Sequence, residues 1–171
     1  LGSLTQFGVL SFNGNKIITT SSGGALVCPD ETMKNKTKFL ATQARDNQPY
    51  YEHSNIGYNY RLSNISAAIG LGQLEVLQER IDRRRKIFEF YKQELLGIQE
   101  ISFLEEKEGF YSNRWMTTIL ISKESKINPD DLRLYLEKDN IEARPLWKPM
   151  HLQPIFNGCK MYGGRNAEYL F

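Results

Sequence analysis

The feature that most limits what this chain can fold into is a helical pattern opening at Ser63 or Asn64 and running to about Leu96. Leu74, Leu77, Ile81, Phe88, Tyr91 and Leu95 recur there at three- and four-residue steps, the spacing of one helix face. At 1.5 Å per residue such a helix spans roughly 45–50 Å, longer than a small domain needs. It is therefore expected to connect two domains. Near its start, Ala67, Ala68, Gly70 and Gly72 let another backbone approach closely. The basic run Arg83-Arg84-Arg85-Lys86 has Glu75, Glu79, Asp82 and Glu89 around it and reads as a solvated helix face.

Upstream of that pattern, residues 6–12 and 17–20 read as strands, and Gly23-Gly24 turns the chain into Ala25-Leu-Val-Cys28. Pro29-Asp30 opens a helix predicted to reach about Ala44, with Met33, Leu40, Ala41 and Ala44 on one face. Residues 45–62 follow, rich in Asn, Gln, Pro, Tyr and Gly: a long loop of the kind that tends to be functional. Its four tyrosines and Arg61 suggest a surface that packs on something.

After Gly97 the texture changes. Trp115 to Ile121 is β-rich, and Asn128-Pro129-Asp130-Asp131 is a helix start with cap, first-turn proline and acids at the positive end of the dipole. That helix should bury Leu132, Tyr135 and Leu136 and end near Asp139-Asn140. Ile141–Arg144 reads as a short strand, and Pro145, Pro149 and Pro154 keep residues 144–156 extended and irregular. A small α+β domain is expected here. The chain begins already approaching a strand, without Met, and stops in an apolar run, so it reads as a fragment of a longer protein.

Composition excludes several classes. An apolar content of 40% and a charged content of 25% belong to a soluble globular protein, and a net charge of +2 argues against a dedicated nucleic-acid binder. No apolar run is long enough for a membrane span or a signal peptide. Cys28 and Cys159 lack paired spacing and are expected as reduced thiols in a cytoplasmic protein. His53 and His151 stand far apart without Cys or carboxylate company, so no metal site is expected.

Lys16 is the residue to watch for chemistry. In Ser11-Phe-Asn-Gly-Asn-Lys16-Ile-Ile-Thr-Thr-Ser-Ser-Gly23-Gly24 a single lysine follows a short apolar strand and sits in a Gly/Asn turn. An amine held there can condense with an aldehyde when its neighbours keep part of it deprotonated; the plainer reading is a solvated turn lysine.

Three segments in order resemble the pyridoxal phosphate (PLP)-dependent sugar aminotransferases of the DegT/DnrJ/EryC1/StrS family. They are the Ser11–Lys16 run with Gly23-Gly24, the Gly57-Tyr-Asn-Tyr-Arg61-Leu-Ser-Asn-Ile-Ser-Ala67-Ala68 run continuing to Gln73-Leu74, and Arg144-Pro-Leu-Trp-Lys-Pro-Met-His151 continuing to Phe156. The finer likeness is to the branch that makes UDP-N-acetylbacillosamine precursors, the UDP-4-amino-4,6-dideoxy-N-acetylglucosamine transaminases. It rests on Asn-Gly-Asn-Lys-Ile-Ile-Thr-Thr, on Tyr51-Glu-His with Gly57-Tyr-Asn-Tyr-Arg-Leu-Ser-Asn64, on Asn113-Arg114-Trp115 and on Arg144-Pro-Leu-Trp-Lys. Asn13 stands where the family often has histidine.

The resemblance implies an α/β architecture, the fold type I of PLP-dependent transferases. Residues 1–62 would close the large PLP-binding domain, 63–96 would form the connecting helix, and 97–171 a small α+β C-terminal domain. It implies Lys16 as the lysine that bonds covalently to PLP and then shuttles a proton. Ser11 would bind the cofactor phosphate, and Asn59 would reach the phosphate of a neighbouring subunit in an obligate homodimer. Arg61, Arg114 and His151 would contact the nucleotide sugar or the donor carboxylate. The implied reaction moves an amino group from glutamate to a UDP-4-keto-6-deoxy-N-acetylhexosamine, with no nucleic acid or membrane partner.

The family's carboxylate for the pyridine nitrogen lies N-terminal to the lysine, and this chain starts too late to contain it. The piece alone is therefore expected to be inactive. Asn59 could instead brace a turn, Arg61 could be an ion-pair partner for the following helix, and His151 could be a packed, hydrogen-bonded side chain. Trp115 and Trp147 suit core or interface anchors more than ligand stackers. The competing functions are a deoxysugar dehydratase of the same fold, against which a lysine at 16 argues because that group has histidine, and a non-catalytic regulator. An oligonucleotide-binding module on the arginine run fits poorly.

Overall fold

A computed structural model of the chain describes residues 2–171. Contacts divide it into two units, one of residues up to Lys86 with Asn113–Trp115, the other of Ile87–Ser112 with Met116–Phe171.

The first unit begins with strands β1 (Gly8–Ser11) and β2 (Gly24–Val27), an antiparallel pair in the register Gly8 to Val27 and Ser11 to Gly24. The strand expected at 17–20 does not form. Those residues belong to the loop joining β1 to β2, and the pairing strand starts at the paired glycines. Helix α1 (Glu31–Ala41) is opened by the Asp30 carboxylate, which accepts the Met33 N–H at 2.7 Å. It stops three residues before the predicted end, because Gln43 (φ 67°) and Ala44 (φ 49°) turn left-handed. For non-glycine residues that conformation costs about 1–2 kcal/mol each. The turn carries Ala44 into full burial. A Cβ on Gly57 would lie 2.5 Å from the Ala44 nitrogen and 2.7 Å from the Leu40 carbonyl oxygen, so only glycine fits this crossing.

Helix α2 (Asn64–Glu75) starts at Ser63, whose hydroxyl accepts the Ser66 N–H at 3.1 Å, and α3 is Leu77–Glu94. The single helix expected from Ser63 to Leu96 is thus two, parted at Val76 (φ −106°, ψ 12°). No Gly or Pro marks the break. What fixes α2 is tertiary: Gly70 faces the Thr20 methyl, where a Cβ would come within 2.7 Å, and the Gln73 carboxamide accepts the Thr19 N–H at 3.2 Å. Ile65, Ile69, Leu71 and Leu74 of α2 remain exposed.

The second unit centres on Phe88 of α3, 2% exposed and edge-on to Phe103 at 5.6 Å between ring centroids. Phe103 ends β3 (Ile101–Phe103), which pairs antiparallel with β4 (Ile119–Ile121). The β-rich run from Trp115 supplies a strand only in its last three residues. Helix α4 (Pro129–Glu137) bears the predicted start as a full capping box: Asn128 accepts the Asp131 N–H at 2.9 Å and the Asp131 carboxylate accepts the Asn128 N–H. It closes slightly early, through turns that reach Asn140 at φ 58°. Residues 141–144 form no strand. The proline-rich stretch holds short 3-10 turns at Met150–Leu152 and Pro154–Phe156, and α5 (Asn166–Leu170) follows.

Among the described residues the buried side chains are Ala44, Phe88 and Thr20. The chain exposes 14580 Å², against roughly 8600 Å² for a folded monomer of this mass by the usual area scaling. Much of its apolar surface is therefore open.

Candidate functional site

Lys16 closes a turn, its backbone N–H donating to the Asn13 carbonyl at 3.0 Å. The rest of the loop is stitched to itself. Phe12 N–H donates to the Gly23 carbonyl at 3.0 Å, and the Phe12 carbonyl accepts both the Thr20 N–H at 2.9 Å and the Thr19 hydroxyl at 3.1 Å. The Thr20 hydroxyl, almost wholly buried, donates to the Ser22 carbonyl. Through Gln73 and Gly70 the same loop is tied to α2. Lys16 thus springs from backbone with little freedom left.

Its side chain is half-buried and has a partner that sequence reading did not supply. The Lys16 Nζ lies 4.4 Å from the centroid of the Trp115 ring, within cation–π range. Trp115 reaches it from the Asn113–Trp115 tripeptide, which belongs to the first unit while both flanks belong to the second. Arg114 there has φ 47°, and the Asn113 side chain accepts the Trp115 N–H at 3.2 Å. Nothing local to either residue announces this meeting.

Ser11 ends β1, and its hydroxyl oxygen accepts the Asn13 N–H at 3.4 Å, which leaves the O–H to donate. Asn59 and Arg61 lie across the long loop's neck, where Asn59 bridges to Thr42 and the Tyr60 N–H donates to the Ala41 carbonyl at 3.0 Å. They line an open polar cleft of about 610 Å³ with Gln43, Arg45, Asp46 and Gln48. Lys16 and Ser11 are not among its lining residues. Arg45 also stacks on Tyr51, 4.2 Å from its ring centroid.

His151 lies in the second unit, where its Nε2 is 2.9 Å from the Glu168 carboxylate, both partly buried. Sequence reading named His151 and missed Glu168. The structure therefore brings Arg114 into the unit of Lys16 and Ser11, places Asn59 and Arg61 on the cleft, and gives His151 its own carboxylate. Among the described residues no cluster of His, Cys, Asp and Glu could hold a metal, and no helix is long and apolar enough to cross a membrane.

The donor set fits a phosphorylated aldehyde such as PLP. A primary amine suits the aldehyde; a hydroxyl, a carboxamide and guanidinium groups suit a phosphate or carboxylate.

Comparison with known proteins gives the same direction. The profile of the DegT/DnrJ/EryC1/StrS aminotransferase family matches residues 1–169. EpsN of Bacillus subtilis, provisionally named a pyridoxal phosphate-dependent aminotransferase, is 50% identical over 174 aligned residues, covering 99% of this chain and 44% of EpsN. The GDP-perosamine synthase of Vibrio cholerae is 34% identical over 156 residues, 91% of this chain and 42% of that protein. The crystal structure of the aminotransferase TlmJ from Streptoalloteichus hindustanus superposes with a TM-score of 0.85 at 24% identity, over 99% of this chain and 45% of that one. At that identity the superposition speaks for the fold alone, and it is the PLP-dependent aminotransferase fold expected from the sequence. The chain spans less than half the length of each of these proteins. With its sequence matched from end to end and its fold shared, the chain belongs to the DegT/DnrJ/EryC1/StrS aminotransferase family.

Proposed function

We propose that the chain is the lysine-bearing part of a PLP-dependent nucleotide-sugar aminotransferase. It would act in the cytoplasm as a homodimer and move an amino group from glutamate to a UDP-4-keto-6-deoxy-N-acetylhexosamine. The observation that carries this reading is Lys16 itself, a single amine on a loop whose backbone is fixed by its own hydrogen bonds and by Gln73 of α2. Bound there, PLP supplies an electron sink for the carbanion that transamination requires.

The chain's own residues do the rest. Lys16 would hold the cofactor through Nζ, and its amine would be the group that moves a proton at the reacting carbon. Ser11 donates its hydroxyl to the cofactor phosphate. Asn59 serves the phosphate of a neighbouring subunit, and Arg61, Arg114 and His151 hold the nucleotide sugar or the donor carboxylate. Residues 1–62 end the large domain, 63–96 connect, and 97–171 form the small domain. The open apolar surface supports a further expectation, that this stretch on its own is inactive.

The experiment is spectroscopic first. The full-length protein given PLP should show a visible band that borohydride bleaches, leaving the adduct on the peptide containing Lys16. The Lys16→Ala variant should lose the band altogether. Absence of any band in the unsubstituted protein overturns the reading. Offering UDP-, GDP- and dTDP-linked 4-keto-6-deoxy sugars with glutamate, and following product mass, then fixes the nucleotide and separates amination from dehydration.

A further inference from the structure

We propose that Trp115 is a positioning residue for Lys16, its indole face holding the amine at one place until the lysine is called upon to react. The proposal rests on the reading of Lys16 given above and deepens it. Three observations carry it. The Nζ stands 4.4 Å from the ring centroid, and among the described residues no carboxylate pairs with it, so the ring is the partner the ammonium has. The backbone that carries the ring is held: the Asn113 side chain accepts the Trp115 backbone N–H at 3.2 Å, and Arg114 is left-handed at φ 47°. Such a conformation persists only where its surroundings impose it. Finally, Asn113–Trp115 leaves the unit of its chain neighbours to join that of Lys16.

The chemistry follows from the ring's quadrupole. Its negative face attracts the amine head group, so that contact has to break before Lys16 can attack a carbonyl. The same contact fixes where Nζ sits, replacing the wandering of a long, rotamer-rich side chain by one location. The ring therefore restrains the amine and keeps it registered at once. Trp115 acts only through Lys16.

The test uses the full-length protein freed of cofactor. Lysine ε-methylene protons over an aromatic face are shifted upfield by the ring current, so the Lys16 signals, assigned by their loss in Lys16→Arg, should lie upfield of the other lysines. A small amine reagent without a phosphate, trinitrobenzenesulfonate, then reports the rate at Lys16 by peptide mass. Trp115→Leu should label two- to five-fold faster than the unsubstituted protein, the range given by a cation–π contact of about 0.5–1 kcal/mol. Trp115→Phe, which keeps a weaker ring, should fall between. Equal or slower labelling in a folded Leu variant overturns the proposal. Should the Leu variant not fold, Lys16 signals at ordinary lysine positions in the unsubstituted protein overturn it, and upfield signals with intermediate labelling of the Phe variant support it. These readouts involve no PLP, so a missing cofactor band would sink the functional reading and leave them standing.

Discussion

Two irregular segments of the first unit make an instructive pair. The loop from Phe12 to Gly23 has no strand or helix, yet its hydrogen bonds run from end to end and its Thr20 is almost wholly buried. The loop from Arg45 to Arg61 is of similar character by composition, and its bonds gather at its neck and about Asp46, whose N–H donates to the Glu52 carbonyl at 2.9 Å. There Thr42 bridges Asn59, Gln43 N–H donates to the Tyr58 carbonyl at 3.0 Å, and the Ser54 N–H and hydroxyl both donate to Asp46 at 2.7 Å. Between these bonds the Tyr51 side chain is 79% exposed. The difference matches two tasks. The role proposed for Lys16 would gain from having its backbone entropy removed beforehand. A segment whose rings lie open needs only its ends anchored, and its faces are left for whatever packs on them.

That contrast can be broken at the neck. Gly57→Ala would drive a Cβ into the Ala44 nitrogen and the Leu40 carbonyl, backbone atoms that cannot step aside. Overpacking of this kind costs about 1–3 kcal/mol. Denaturation of the full-length protein should read that loss, and amide exchange should quicken at Gln43 and Tyr58 while Lys16 and Thr20 stay protected. Equal quickening in both loops would erase the distinction drawn here.

The stitched loop is probed by Thr20→Val, which keeps shape and removes the hydroxyl donated to Ser22. The expected loss is about 0.5–1.5 kcal/mol, the net worth of one such hydrogen bond. Gln73→Ala should cost no more than that and act at a distance, speeding exchange at the Thr19 amide while α2 itself stays helical. Unchanged exchange at Thr19 would mean the loop does not depend on α2.

The smallest effect serves as a control outside both loops. The Ser122 hydroxyl and the local backbone hold the Glu124 carboxyl below the ordinary carboxylate range. A depressed folded value contributes stability above the unfolded pKa, which is lost as pH falls through the folded one. Ser122→Ala should move the Glu124 titration, followed by carboxyl carbon NMR, upward toward the ordinary value, with no change at Lys16.

The sequence by itself determined whatever is settled within one turn of chain. Asp30, Ser63 and Asn128 each cap the helix that follows, because a short acceptor side chain and an N–H three residues on meet through local geometry alone. Three spaced motifs also carried the family and, with it, the fold. Tertiary structure decided the rest. Residues 17–20 have strand-forming side chains but no partner in register, so the strand is at Gly24–Val27 instead. The helix parts at Val76 without a breaker in the sequence, since α2 answers to Thr19 and Thr20 rather than to α3. Trp115 meets Lys16 only because the path of the chain returns a tripeptide to the first unit, and no local spacing encodes a contact between residues so far apart.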